Sequence, residues 1–292
     1  KKCILLTRRP ELFSAGAAPI CLRNLFSTFR KNCLRMERRY NFNMYAKKSL
    51  GQHFLKSERA LNAIAEAGEI SLDDTILEIG PGTGALTEKL LKTGAKVIAI
   101  EKDDNLFQML KEKFKNENLE LIHDDILNFD TALVNVRYKV VANIPYNLTG
   151  AILEKFLSAE NQPKRMVLLV QKEVAKRIVD EKGSILSISV RAYGEPKYVE
   201  TVKAGSFAPA PKVDSAVISI TNISKGFFDS FSEENFFKLL KAGFKSKRKK
   251  LSSNLATLFG KEGVLDTFKK LNLDTNIRAE DVPIEMWGKL AI

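Results

Sequence analysis

Cysteine is scarce in this chain of 292 residues and is confined to one end of it. Cys3, Cys21 and Cys33 all precede residue 46, and the rest of the chain has none. An odd number of cysteines argues against a disulfide framework, and their spacing matches no metal-binding motif. The cysteine-free body therefore gives no information about the compartment.

Long apolar runs are also missing. No stretch approaches the roughly 18 residues of a membrane-spanning helix, so we expect no membrane partner. With 45% hydrophobic and 28% charged residues, the composition is that of an ordinary globular protein. The length fits one large domain, or a domain plus a smaller one, and the sequence contains no internal repeat or low-complexity tract.

Acidic residues are in deficit, and the deficit is uneven. The net charge is +12, which suggests a polyanionic partner, although merely basic proteins are common. Residues 1–46 contain ten basic and two acidic residues, so this segment carries +8, and the other residues share the remaining +4. The excess of charge therefore belongs mainly to the first segment.

Residues 1–46 differ in composition from everything that follows. They are rich in Arg, Ser, Phe and Leu, as in a mitochondrial transit peptide, which would make the protein mitochondrial. Alternatively they are upstream translated sequence with the functional start at Met44 or Met36, or a basic arm that touches RNA. We favour the start at Met44 and a cytoplasmic protein, and predict disorder or loose packing before residue 47.

The body alternates apolar strands with helical patterns, which predicts an α/β protein with a parallel, doubly wound sheet. The predicted strands are residues 75–79, 96–100, 119–122, 140–142 and 166–170. Residues 197–202 and 213–221 resemble late strands that could pair as an antiparallel hairpin, and from Glu233 the pattern is purely helical. We therefore predict a catalytic domain over 47–225 and a small all-α domain over 226–292.

A glycine-rich loop follows the first strand and has two readings. Gly80-x-Gly82-x-x-Ala85 satisfies the dinucleotide fingerprint, and Glu78-x-Gly80-x-Gly82-x-Gly84 is the form found in S-adenosylmethionine (SAM) enzymes. Glycines at this point let the backbone approach a ligand closely. The acid before the loop favours SAM, because it can reach the cationic amino-acid part of that cofactor.

Acidic residues end the next two strands. Glu101 comes 21 positions after Gly80, where a carboxylate can accept hydrogen bonds from both ribose hydroxyls of a cofactor. Asp125 is the candidate for the adenine amino group of the cofactor. Its neighbour Asp124 competes for that role, and the sequence pattern separates the two poorly.

Asn143-Ile144-Pro145-Tyr146 follows the apolar run that predicts the fourth strand. Ligands of open α/β sheets bind beyond the carboxyl ends of strands. The Asn143 carboxamide oxygen and a nearby main-chain carbonyl can accept two N–H bonds, and Tyr146 offers a face for stacking. These residues suit a site that holds the amino group of a flat base, although a strand-end turn with a buried Tyr is the simpler alternative.

Five sequence blocks together resemble the KsgA-type rRNA adenine N6-dimethyltransferases over about residues 47–292. The blocks are KKSLGQHFL (47–55), LEIGPGTGALT (77–87), VANIPYN (141–147), FAPAPKVDSAV (207–217) and FKSKRKKL (244–251). Each block is weak alone, but their shared order and separations are specific. The resemblance implies a Rossmann-like SAM-dependent methyltransferase fold with a helical C-terminal domain.

The resemblance also implies roles for individual residues. His53 and Leu55 would close over SAM, although many relatives have Asn where this chain has His53. The remaining implied SAM-binding residues are Gly80, Glu101, Asp125 and Asn143. Tyr146 and Phe207 would sandwich a flipped adenine, with a core aromatic as the alternative for Phe207. The implied activity, which uses no metal, is dimethylation of two adjacent adenines in the 3′ hairpin of small-subunit rRNA during ribosome biogenesis.

A basic run leads into a late helix. Its members, expected to contact RNA phosphates, are Lys245, Lys247, Arg248, Lys249 and Lys250. The implied partner is a pre-30S-type particle, bound by a monomer.

Three rival readings remain. One is the large-subunit rRNA adenine methyltransferase of the macrolide-resistance type, which the block containing Val213-Asp214-Ser215-Ala216 fits less well. Another is a non-catalytic binding factor like mitochondrial transcription factors, against which the intact Glu78, Glu101, Asn143 and Tyr146 argue. The third is a nicotinamide dehydrogenase, which would need a catalytic His or a Tyr-Lys arrangement. The body has only His53 and His123, and neither lies in such a setting.

Overall fold

Seven strands form the central sheet of the computed structural model, which describes residues 52–115, 117–134 and 136–292. Their order in the sheet is β4-β3-β2-β5-β6-β9-β7. The strands are β2 (Thr75–Ile79), β3 (Lys96–Glu101), β4 (Leu119–His123), β5 (Tyr138–Asn143), β6 (Arg165–Gln171), β7 (Glu195–Val202) and β9 (Ser215–Thr221). Two short strands, β1 (Phe54–Leu55) and β8 (Phe207–Ala208), pair separately.

Strands β2 to β6 are parallel to one another, whereas β9 lies antiparallel to both β6 and β7. The central strands read as continuous apolar runs because helices cover both faces of a parallel sheet. The order reverses at β2, since β3 lies on one side of it and β5 on the other. In such a sheet the crevice beyond the carboxyl ends at the reversal is the ordinary place for a ligand.

Nine helices, counted over the described residues, connect and flank the strands. They are α1 (Glu58–Ala67), α2 (Ala85–Leu91), α3 (Asp104–Lys113), α4 (Thr149–Leu157), α5 (Lys172–Val179), α6 (Ile185–Arg191), α7 (Glu233–Gly243), α8 (Leu251–Lys270) and α9 (Ile284–Leu290). Helix α8 is broken at Gly260, which has φ 71° and ψ 165°. In the part of the chain that the structure describes, none of these helices has the length and apolarity needed to cross a membrane.

The predicted α/β architecture is confirmed, including the antiparallel pairing of the late strands. Ser57 caps α1, because its side chain accepts the Ala60 N–H. Residues 172–191 contain two helices, α5 and α6, that were not predicted from the sequence. Helix α6 begins with a capping box that Ser184 and Ser187 form. The third helical residue of a capping box is usually Glu or Gln, and Ser187 at that position makes the box hard to recognise from the sequence.

The described residues belong to a unit that spans Ala46–Ile292. Two hydrophobic clusters pack on the two faces of the sheet, and a third is centred on the fully buried Trp287 among α7, α8 and α9. The third cluster also includes Ile188 of α6 and Ala192, which caps the end of α6. The division into domains at residue 225 stays a prediction, and the predictions for residues 1–46 lie outside the described residues.

Candidate active site

A cleft of about 260 Å³ opens at the carboxyl ends of β2, β3, β4 and β5. Its lining brings together residues that lie far apart in the sequence. Of the predicted site residues, the lining includes His53, Leu55, Gly80, Glu101, Asp125, Asn143 and Tyr146. Phe207 and the basic run are not in the lining.

The glycine loop presents bare backbone to this cleft. Gly80 has φ 62°, and no heavy atom lies within 4 Å of the position where a Cβ would stand. A side chain at Gly80 would therefore both strain the backbone and fill space that a ligand can use. Gly84, in contrast, is packed, because a Cβ there would come within 2.5 Å of the Phe114 ring.

Glu101 ties the loop to the end of β3. Its two carboxylate oxygens accept the Gly82 N–H at 3.1 Å and the Asp103 N–H at 2.8 Å. The residue is 5% exposed, and burial raises the pKa of its carboxyl against the lowering effect of these hydrogen bonds. The carboxylate is thus held in one orientation and keeps further lone pairs for hydroxyl donors.

Glu78 lies one strand away and is 1% exposed. Thr87 Oγ1 donates a hydrogen bond of 2.7 Å to its carboxyl. Burial first, and then the charge of Glu101, raise the pKa of Glu78 to about 8 against the lowering effect of the Thr87 hydrogen bond. Glu78 is therefore mostly protonated at neutral pH, which the sequence alone did not indicate.

Asp124 and Asp125 follow β4, and both line the cleft. Asp124 Oδ1 accepts the N–H of Asp125 at 2.7 Å. The two oxygens of Asp125 accept the Leu127 N–H at 3.0 Å and Lys102 Nζ at 2.6 Å, and these contacts lower its pKa. Both acids thus lie where the cleft meets the end of β4, and the choice of Asp125 over Asp124 for the cofactor adenine stays a prediction.

Asn143 is the last residue of β5, and its orientation is defined by one contact. Its Nδ2 donates to the His53 carbonyl oxygen at 3.3 Å. A carbonyl can only accept, so the amide nitrogen must face it and the carboxamide oxygen must face away. The Pro145 carbonyl already accepts the Leu148 N–H at 3.0 Å, which leaves Ile144 as the better second acceptor.

The ring of Tyr146 lies beside the imidazole of His53. Their centroids are 5.9 Å apart and the planes are inclined by 21°. Tyr146 Oη is 2.6 Å from Ser215 Oγ, and burial raises the pKa of this phenol. His53 Nδ1 is 2.8 Å from the Pro209 carbonyl oxygen, so Nδ1 carries the proton there.

Strands β1 and β8 bring the first and fourth sequence blocks together. Leu55 pairs with Phe207, and both are buried, with exposures of 5% and 3%. The Phe207 side chain belongs to the hydrophobic cluster that also contains Leu61 and Val202. The stacking role of Phe207 stays a prediction, which requires its ring or strand β8 to shift toward the cleft.

The basic run forms the loop between α7 and α8. All five of its basic side chains are exposed, and among the described residues none of them forms an ion pair with an acid. The loop itself is well held, because Asn254 Nδ2 donates to the carbonyls of Gly243 at 2.6 Å and Ser246 at 3.1 Å. A firmly held loop with unpaired cations suits contact with phosphates.

Comparison with known families decides between the rival readings. The family "Ribosomal RNA adenine dimethylase" matches residues 43–292. The chain belongs to this family. A protein from Dehalococcoides mccartyi named ribosomal RNA small subunit methyltransferase A is 44% identical over 259 residues, covering 86% of this chain and 89% of the relative. One of the same name from Nostoc sp. is 40% identical over 264 residues, covering 84% and 96%.

Two solved structures support the fold of this dimethylase. A dimethyladenosine transferase from Plasmodium falciparum has a TM-score of 0.72 and 29% identity, covering 82% of this chain and 96% of that one. The 23S rRNA methyltransferase ErmE has a TM-score of 0.66 and 25% identity, covering 81% and 97%. The names of the relatives favour the small-subunit class over the large-subunit class and over a non-catalytic factor.

Three residues that form hydrogen bonds to residues of the candidate site were not predicted from the sequence. Lys102 follows Glu101 directly, and its place at a strand end was a usable signal. Thr87 and Ser215 belong to quoted blocks but had no role there. Their contacts depend on the packing of α2 on β2 and of β9 on β6, which local sequence does not specify.

Proposed function

We propose that this chain transfers methyl groups from SAM to N6 of two adjacent adenines in the 3′-terminal hairpin of small-subunit rRNA. The orientation of Asn143 carries the proposal. Its carboxamide oxygen is turned away from the His53 carbonyl at the end of β5, in the same cleft as the Gly80 loop. An acceptor for a base amino group therefore stands next to a cofactor cradle.

The residues of the cleft fit SAM. Gly80 leaves the backbone open, and Glu101 offers an oriented carboxylate for the ribose hydroxyls. Asp125 would accept the adenine amino group of the cofactor, and Leu55 and His53 would cover it. When bound, SAM supplies a methyl group on a positively charged sulfur, so the protein has only to position the acceptor atom.

Positioning the adenine is the task of Asn143 and Ile144. The N6 lone pair of adenine is delocalised into the ring, which makes N6 a poor nucleophile. Asn143 Oδ1 and the Ile144 carbonyl would accept its two N–H groups out of the ring plane and so localise the lone pair. Such fixed acceptors act in a partly water-excluded site and need no reorganisation during the reaction.

The target base must leave its stack to reach these acceptors, at a cost of a few kcal/mol. Stacking on an aromatic side chain returns about 1–3 kcal/mol per base. Tyr146 lines the cleft and is the first candidate for this contact, with Phe207 as the second wall if it moves. The imidazole that now lies beside Tyr146 would have to adjust when the base enters.

The loop that carries Lys245, Lys247, Arg248, Lys249 and Lys250 would hold the RNA by its phosphates. Such contacts set the register of the RNA and leave the choice of base to the cleft. We further propose a monomer that acts on a pre-30S-type particle in the cytoplasm.

The test supplies labelled SAM and small ribosomal subunits that lack the modification, and maps the labelled nucleotide. The proposal expects two labelled adjacent adenines near the 3′ end, with up to two methyl groups on each. Label on a single adenine of large-subunit rRNA would instead assign the chain to the other class. No transfer to any rRNA by folded, SAM-binding protein would contradict the proposal altogether.

A further inference from the structure

The phenol of Tyr146 is held from the side of the sheet by a buried serine. Tyr146 Oη lies 2.6 Å from Ser215 Oγ, and Ser215 is 0% exposed. Ser215 is not in the lining of the cleft, so a ligand in the cleft would meet Tyr146 without meeting Ser215. The hydrogen bond therefore joins a side chain of the cleft to one of the core.

The backbone at Ser215 is fixed on both sides. As the first residue of β9, Ser215 pairs with Gln171 of β6 and with Val202 of β7. The preceding residue, Asp214, is tied down as well. Its main-chain carbonyl accepts the Lys172 N–H at 3.0 Å.

The Asp214 side chain adds two more contacts, which fix the turn before Phe207. Its two carboxylate oxygens accept the Ala204 N–H and Lys203 Nζ, both at 3.0 Å. Ser215 is thus a rigid anchor point that two chain segments hold in place, residues 171–172 at the end of β6 and residues 202–204 at the end of β7.

We propose that Ser215 is a positioning residue that sets the orientation of the Tyr146 ring for stacking on the target adenine. This inference rests on the proposed function. A Tyr side chain has two rotatable torsions, and a hydrogen bond at Oη fixes where the far end of the ring lies, which restrains χ1. Because Oη lies on the χ2 axis, the plane of the ring is restrained by the preference of the phenolic O–H for a partner near that plane. Without the bond the ring retains its area but loses its fixed plane, so the base would be stacked in a spread of orientations.

The test measures methyl transfer to undermethylated small subunits by wild type, Ser215→Ala, Tyr146→Phe and the double variant. Because both single variants delete the same hydrogen bond, each should lower kcat/KM for the RNA by a similar factor, about 2-fold to 10-fold for one such bond. The double variant should be no worse than the more impaired single variant. The Kd for SAM should not change, because Ser215 lies outside the cleft lining.

The chain offers a matched control in Ser219. It lies four residues further along β9 on the same face of the sheet, is 5% exposed, and its hydroxyl has no hydrogen-bond partner among the described residues. Ser219→Ala therefore deletes an equally buried hydroxyl on the same strand. It should leave kcat/KM for the RNA at the wild-type value.

The outcomes separate this inference from the proposed function. Wild-type protein that methylates no small-subunit adenine would overturn the proposed function. Active wild type with an unimpaired Ser215→Ala, or with single effects that multiply in the double variant, would overturn the role of Ser215 alone. Equal losses in Ser215→Ala and Ser219→Ala would show a general effect of the strand and would also overturn it.

Discussion

Thr87 Oγ1 lies 2.7 Å from the carboxyl of Glu78 and is its hydrogen-bond donor inside the protein. Even with this bond, burial raises the pKa of Glu78 from 4.5 to about 8. The cofactor-free protein thus contains a carboxyl that folding keeps protonated at neutral pH. Proton binding and folding are linked at this residue, and the linkage has a definite sign.

Glu78 should make the free protein less stable as the pH rises. Between pH 4.5 and about 8 the unfolded chain has lost this proton and the folded chain keeps it, so the free energy of unfolding falls. The slope from one such group is at most about 1.4 kcal/mol per pH unit. Glu78→Gln cannot titrate at this position. The free energy of unfolding of wild type minus that of the variant should therefore fall as the pH rises, which urea titrations from pH 5 to pH 9 measure.

Glu101 also has a raised pKa, and it remains in both proteins, so its contribution cancels in that difference. If wild type and Glu78→Gln lose stability in parallel from pH 5 to pH 9, Glu78 is not the protonated group.

Loss of the Glu101 charge should weaken cofactor binding. Glu101→Gln replaces one acceptor oxygen with a donor nitrogen, which cannot accept both a backbone N–H and a ribose hydroxyl. Hydrogen bonds to charged groups are worth about 1.5–3 kcal/mol, so the Kd for SAM should rise about tenfold to a hundredfold. Isothermal titration calorimetry measures this directly.

Glu120→Gln is the control for that measurement. Glu120 lies on the neighbouring strand β4 and pairs at the protein surface with Lys96 at 2.8 Å. The substitution removes the same charge outside the cleft and should leave the Kd unchanged. Equal weakening by both variants would point to a general electrostatic effect and against a ribose contact.

Asn143→Ala should abolish most methyl transfer in a protein that still folds and binds SAM. The residue is only partly buried, and it gives up one hydrogen bond, to the His53 carbonyl. Removing one fixed polar group that acts in the transition state typically costs roughly 100-fold or more in kcat. Single-turnover transfer from labelled SAM gives the rate, and thermal unfolding reports the fold.

Asn143→Asp separates the two atoms of the carboxamide. The aspartate keeps an acceptor oxygen but cannot donate to the His53 carbonyl, so the acceptor should lose its orientation. Transfer should therefore fall for this variant as well. A rate near that of wild type for either variant would contradict the acceptor role of Asn143.

The sequence predicted which residues lie near one another in the cleft better than it predicted the hydrogen bonds between them. Glu101 and Asn143 end strands whose apolar runs are unmistakable, and a parallel sheet brings all its carboxyl strand ends to one edge. Their shared cleft therefore followed from pattern alone. Gly80 could likewise be assigned to the cleft, because a loop between β2 and α2 must expose its backbone at the same edge.

Contacts between distant segments were beyond the sequence. Phe207 pairs beside Leu55 in a two-stranded sheet whose strands are 152 residues apart, and two-residue strands carry no periodicity to detect. The protonated state of Glu78 depends on complete burial, which only the packing of α2 against the sheet determines. The helix at residues 172–179 was missed because it follows β6 without any intervening turn residue.

The basic loop should control the salt dependence of RNA binding. Replacing Lys247, Arg248 and Lys249 with Ala removes three exposed cations from the loop that Asn254 holds. Each lost phosphate contact reduces the slope of log K against log salt by about 0.7–0.9, so the slope should fall by about 2 to 3. Filter binding of a small-subunit 3′ hairpin at several salt concentrations measures the slope.

A charge-matched control separates local contact from net charge. Lys92, Lys96 and Lys164 are exposed. Lys92 precedes β3, Lys96 begins β3 and Lys164 directly precedes β6, so all three lie at the end of the sheet opposite the cleft. Replacing all three with Ala changes the net charge equally and should leave the slope close to that of wild type. If both triple variants flatten the slope to the same extent, the loop contributes only net charge, and the prediction that residues 247–249 contact phosphates is wrong.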